Sequence, residues 1–144
     1  MLIYKFKHLE NIHSENSEII PMLVSVFGDS TDILEQVGIL LDQGVNVNTQ
    51  TKQGDTAVIL AGWLTNNIDL ITLLVERGAD VNIHNENGDT PLIDAAYKGK
   101  NDILEYLLNN GADINAKNNA GLSAQDMARK TENSVAITML VKAQ

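Results

Sequence analysis

The chain has 144 residues, enough for one domain with a modest continuous core, and only two Phe, three Tyr and one Trp, so that core must be aliphatic. It has no cysteine, which excludes disulfides, Cys-based zinc sites and thiol nucleophiles. A net charge of −9 opposes phosphate binding, so nucleic acid is not an expected ligand, while a basic protein partner is compatible with it.

The N-terminus, MLIYKFKHLENIH, lacks the basic start and apolar run of a signal peptide, and no segment approaches the ~18 apolar residues of a membrane span. A cytoplasmic protein with no membrane contact is the expectation. Residues 1–17 admit two patterns. Tyr4 and Phe6 alternating with Lys5 and Lys7 fit a strand, whereas Leu2, Phe6, Leu9 and His13 fit a helix face. Either would cover the open end of whatever follows.

Residues 18–50 hold a first helix pair. Pro21 takes a helix-start position, Met22, Leu23, Val26 and Phe27 supply an apolar face, and Gly28-Asp29 marks the turn. The second helix, about 31–42, carries Ile33, Val37, Leu40 and Leu41 and ends at Gly44. Residues 51–84 repeat the arrangement, and residues 85–117 give its most regular copy. There Thr90 caps a helix, Pro91 sits at the first helical position, and Leu92, Ala95 and Ala96 form a narrow apolar face. Gly99 breaks the run. Ile103, Leu104, Leu107 and Leu108 then form a second face that stops at Gly111. Neither helix can bury its face alone, so copies must stack.

Alignment of the two middle units pairs Gly54 with Gly88 and Thr56 with Thr90 at a spacing of 34, but Gly78 with Gly111 at 33. One extra residue therefore lies between the helices of the earlier unit, around 64–68. A fourth unit, 118–144, is aligned by Gly121 and Ser123. It closes with a helix at about 134–142 whose apolar face is Val135, Ile137, Leu140 and Val141.

These units resemble ankyrin repeats. The matching residues are GDTPLIDAAYKG at 88–99, LLNNGADINA at 107–116, LLVERGADVN at 73–82 and LLDQGVNVN at 40–48, and GLSAQDMARK at 121–130 resembles the altered capping repeat. The resemblance implies an all-α solenoid of about four helix-turn-helix units, with β-hairpin-like loops projecting to one side and a concave face. The family's Thr-Pro-Leu-His tetrapeptide reads Thr-Ala-Val-Ile at 56–59 and Thr-Pro-Leu-Ile at 90–93. Without the His, packing by Ile59 and Ile93 is expected to replace polar stitching and leave the hairpins sparsely cross-linked.

Catalytic chemistry is not visible. His8, His13 and His84 are too scattered for a metal site, and no phosphate-cradling glycine motif occurs. Gly54-Asp55-Thr56 recurs as Gly88-Asp89-Thr90, and Asp80 with Asn82 recurs as Asp113 with Asn115, so these carboxylates are turn and cap residues. No cofactor and no enzymatic activity are expected.

The resemblance places partner-binding positions at the hairpin tips and the ends of the first helices. The tips are Lys52, Gln53 and Asp55; His84, Glu86, Asn87 and Asp89; and Lys117, Asn119 and Leu122. The helix-end positions are Trp63, Leu64, Tyr97, Lys98 and Lys130. Trp63 follows the small pair Ala61-Gly62, so its ring should point away from the seam between helices. It then either contacts a partner or packs over the link at 64–68. From His8 to Thr51 there is no Lys or Arg, but there are Glu10, Glu15, Glu18, Asp29, Asp32, Glu35 and Asp42. That tract is either a docking patch for a basic protein or a solvated face.

The expected function is non-catalytic protein binding through the concave face and hairpin tips by a chain that is monomeric when free. In its sharper form this is an inhibitor or immunity-type protein neutralising a toxin or enzyme. The alternative is an accessory partner that stabilises a metabolic or redox enzyme.

Overall fold

A computed structural model describes residues 18–144; the expected capping segment 1–17 lies outside the described residues. Eight helices follow one another in four pairs: α1 (Ile19–Phe27) with α2 (Ile33–Asp42), α3 (Ala57–Leu64) with α4 (Ile68–Glu76), α5 (Pro91–Lys98) with α6 (Asn101–Asn109), and α7 (Ala124–Lys130) with α8 (Ser134–Lys142). Among the described residues the extended links form no sheet, only an isolated antiparallel bridge between Lys117 and Ser123.

Three of the first helices start on a hydroxyl cap. Thr56 accepts from the Ile59 amide at 3.2 Å, and Thr90 from Ile93 at 3.3 Å. Ser123 forms a full capping box with Asp126, whose carboxyl is held below the ordinary range by the Ser123 backbone amide and then its hydroxyl. The first helices pack in one row, α1–α3–α5–α7, and the second helices in another, α2–α4–α6–α8. The first row carries small buried residues, Ala57, Ala61, Gly62, Ala95, Ala96, Ala124 and Ala128, so its helices approach closely. The second row is spaced by Ile33, Leu70, Ile71, Leu74, Ile103, Leu104 and Leu107, all fully buried. Each such side chain contributes about 1.5–3 kcal/mol on burial. Closer packing of the first row bends the array towards it, which makes that side and its hairpins concave.

Two apolar faces differ from expectation. In α1 the buried residues are Ile19, Ile20, Leu23 and Val24, whereas Met22 and Val26 are 59% and 67% exposed. The helix begins two residues before Pro21, and the buried stripe turns with it. In α8, Ala136 and Leu140 are buried but Val135 and Val141 are about half exposed, because this helix packs mainly on α6 and α7.

The hairpins are not sparsely cross-linked; asparagine and aspartate do the work expected of histidine. Tight turns at 51–55, 85–89 and 118–122 are each closed by a side-chain oxygen of the first residue, Thr51, Asn85 or Asn118, accepting from the amide four residues on at 3.1 Å. Successive turns are joined by backbone bonds, Glu86 N–H to Gln53 carbonyl and Asn119 N–H to Asn87 carbonyl, each 2.9 Å. Side chains add a second stitch: the Asn85 amide donates to Asp55 at 2.9 Å, and Asn118 to Asp89 at 2.8 Å.

A parallel ladder runs along the ends of the second helices. The Asn48 side chain accepts from the Asp80 amide and donates to the Gly78 carbonyl; Asn82 does the same to Asp113 and Gly111. Asp80 and Asp113 each close a local turn by accepting from the amide two residues on. The recurring Gly-Ala-Asp-x-Asn sequence is thus the rung of a ladder.

Candidate partner-binding surface

The middle units differ where their two helices join. Between α5 and α6 the chain turns on Gly99, which is left-handed (φ 71°), followed by Lys100. Between α3 and α4 there are three residues, 65–67, and the cap position holds extended Thr65 (φ −123°) instead of glycine. That accounts for the extra residue in the spacing. The last carbonyls of α3 are then closed by other groups. Thr65 donates its hydroxyl to the Ala61 carbonyl at 2.7 Å. The Lys100 ammonium, from the next unit, donates to the carbonyls of Trp63 (3.3 Å) and Thr65. A cation at a helix C-terminus is favourable there. Burial, and next the nearby Lys98 charge, lower the Lys100 pKa from the ordinary lysine value.

This closure fixes the backbone that carries Trp63. Its ring stacks on Tyr97 of the next inner helix, with centroids 5.9 Å apart and planes 3° from parallel, and the Lys98 ammonium lies 4.2 Å from the ring centroid. Trp63 and Tyr97 remain 36% and 44% exposed, and Leu64 beside them 47%. Trp63 therefore has an intramolecular packing partner and an open edge together.

At the tips, Lys52, Gln53, His84, Glu86, Asn87, Lys117 and Asn119 are exposed, while Asp55, Asp89 and Leu122 are half-buried. Several already have structural duties. Asp55 and Asp89 receive the asparagine stitches, Asn119 donates its side-chain amide to the Glu86 carbonyl at 2.7 Å, and the His84 ring lies 3.0 Å from the Asn85 carbonyl. Lys130 is exposed at the end of α7.

The fold brings Asp55, Asn87 and Asp89 from the tips together with Trp63 from α3. They line one cleft of about 200 Å³ with Ile59, Leu60, Asn85 and Asp94. Asp94 was absent from the residues expected at the surface. It is only 5% exposed, and its carboxyl is raised to about 7 by burial first, then by the charges of Asp89 and Asp55, with Lys98 opposing. A signal for it exists in the sequence: Thr56-Ala-Val-Ile-Leu60 and Thr90-Pro-Leu-Ile-Asp94 share one register, so an acid stands where the preceding unit has leucine.

The acidic tract is partly engaged within the fold. Asp42 pairs with Arg77 of the next unit at 2.6 Å, and Asp29 accepts from the Asn66 amide at 3.3 Å. Asp32 and Glu35 are exposed, and Glu10 and Glu15 lie outside the described residues. Among the described residues no group of three or more His, Asp or Glu is placed to hold a metal ion, and no helix is long and apolar enough to cross a membrane.

A family model for ankyrin repeats matches residues 22–118 in three copies. No curated protein matches the chain.

Proposed function

Because the chain belongs to the ankyrin-repeat family, whose members are generally protein-interaction modules and typically non-catalytic, we propose that it binds a partner protein through its concave face and hairpin tips. The observation that carries this reading is the Trp63–Tyr97 stack with Leu64. It is an aromatic and aliphatic cluster left partly open at the edge of a cleft, the composition that dominates binding energy at interfaces. The tips on either side, Lys52, Gln53, Glu86, Asn87, Lys117 and Asn119, supply a polar rim. The function is occupation of the partner's surface, and the acidic residues Asp32 and Glu35 favour encounter with a basic one.

Retention of a host protein by immobilised wild type and by Trp63→Ala tests the reading. The variant is expected to keep its helical signal and to lose affinity for that protein by about tenfold or more, the scale of an interface hot spot. Equal retention by a folded Trp63→Ala overturns the reading. The activity of the retained protein then separates an inhibitor, which abolishes it, from an accessory subunit, which leaves it unchanged or raises it.

A further inference from the structure

The cleft between the second and third units is not explained by stacking. Its floor holds Asp94, on α5, whose side chain is 95% buried, reaches the cleft, and accepts no hydrogen bond from any described residue. A buried polar group without a protein partner costs stability, so its retention needs a reason outside the scaffold. Asp55 and Asp89 flank it. Each has one oxygen, Oδ1, taken by the asparagine stitch and the other left without a donor among the described residues. The walls are Ile59, Leu60 and Trp63.

We propose that this cleft receives one basic side chain, a lysine or arginine of the partner protein, with its aliphatic stem against Ile59, Leu60 and Trp63 and its cationic end on the carboxylates of Asp94, Asp55 and Asp89. The proposal rests on the protein-binding reading above and specifies the chemistry of the partner's central contact. Size supports it: about 200 Å³ exceeds the share of a single water and falls below the range of sites for drug-sized ligands. The rim already accepts a cation, since the Lys98 ammonium sits over the Trp63 ring. A divalent metal is the poorer occupant, because the three carboxylates are not placed to coordinate one ion.

Binding is linked to protons. Asp94 titrates at about 7, and the groups that act on it are Asp89 and Asp55 from the tips and Lys98 from its own helix. Helix α3 has no titratable side chain, Asp126 of α7 is held by Ser123, and Asp102 and Glu105 of α6 are exposed. A cation prefers the ionised carboxyl, so affinity rises with pH. With only the ionised form competent, it increases about tenfold between about pH 6 and pH 8.

The test uses the whole chain and three probes: the blocked amides of arginine, lysine and norleucine, titrated into ¹⁵N-labelled protein. The arginine or lysine amide is expected to shift the Asp55, Asp89 and Asp94 amides and the Trp63 indole saturably at millimolar concentration, more tightly at pH 8 than at pH 6. The norleucine amide should leave them in place. Asp94→Leu, which copies the leucine of the preceding unit, and the milder Asp94→Asn should each abolish the cation response. Equal shifts from norleucine, or an undiminished cation response in both variants, overturn the proposal. A partner lost by Trp63→Ala but held equally by Asp94→Leu overturns the cleft and leaves the wider reading standing; one held equally by both variants removes both.

Discussion

The second and third units share a hairpin, a hydroxyl cap, a ladder rung and a row of buried leucines, yet they differ at four places on the inner side. The second has Leu60, Trp63, Leu64 and an extended Thr65; the third has Asp94, Tyr97, Lys98 and a left-handed Gly99. The shared features are those that any two neighbours in a stack must present to each other. The differences converge on one seam, where Lys100 reaches back to close α3, Tyr97 meets Trp63, and Asp94 faces the cleft beside Leu60. Regularity thus marks scaffold, and the local departures mark surface available for recognition.

The sharpest way to break the contrast is to make the third unit like the second. Asp94→Leu removes a buried carboxyl whose folded-state pKa, about 7, lies above its ordinary 3.8. The folded state therefore holds this proton more tightly than the unfolded state does. The stability associated with it is complete below about pH 4, declines as pH rises, and is gone above about pH 7. At pH 8 the substitution is expected to stabilise the chain by on the order of 2–4 kcal/mol, with a much smaller gain at pH 4. Urea unfolding of both proteins across that range measures it. An equal gain at both ends would mean that apolar packing, not ionisation, sets the effect.

A second set of substitutions tests what the units share. Gly54 and Gly88 are left-handed, with φ 82° and 78°, and an added Cβ would come within 2.9 Å of the Glu86 nitrogen and 2.8 Å of the Asn119 nitrogen. Gly121 has the same conformation, φ 77°, but an added Cβ there would meet nothing. Alanine at 54 or 88 should cost about 2–4 kcal/mol, backbone strain plus overpacking against the next hairpin, and at 121 only about 1–2 kcal/mol of strain. Unfolding midpoints that fall equally for all three would show that hairpin stacking contributes little.

Much of the architecture was legible in the sequence because its determinants are local and repeated. Thr56, Thr90 and Ser123 announce caps, Gly78 and Gly111 announce helix ends, and the shift in spacing located the extra link residue. The end helices were less legible. Which side of α1 is buried depends on its packing against α3, and four apolar residues such as Met22, Leu23, Val26 and Phe27 do not decide it. The hairpin stitching was missed because Asn85 and Asn118 look like ordinary turn residues until two turns are set side by side. The candidate site was legible in part: Trp63, Tyr97, Asp55 and Asp89 were picked out separately, but the cleft that joins them to Asp94 arises only when two units stack.

The smallest expected effects concern the ladder at the ends of the second helices, where the units differ only by position in the array. Asn48 and Asn82 each make two bonds to the following unit, and the local turns are closed by Asp80 and Asp113 instead. Asn115 occupies the same place in the third unit, but its side chain meets no following rung among the described residues. In a linear array, stability is a sum of unit and nearest-neighbour contributions. Alanine at 48 or 82 therefore weakens one junction, by about 1 kcal/mol after allowance for solvent competition, while alanine at 115 should change stability by less than about 0.5 kcal/mol. Urea midpoints for the three variants give the comparison directly. A loss at 115 matching that at 82 would place the value of this asparagine in its own turn, and the ladder would then be a consequence of stacking instead of a cause.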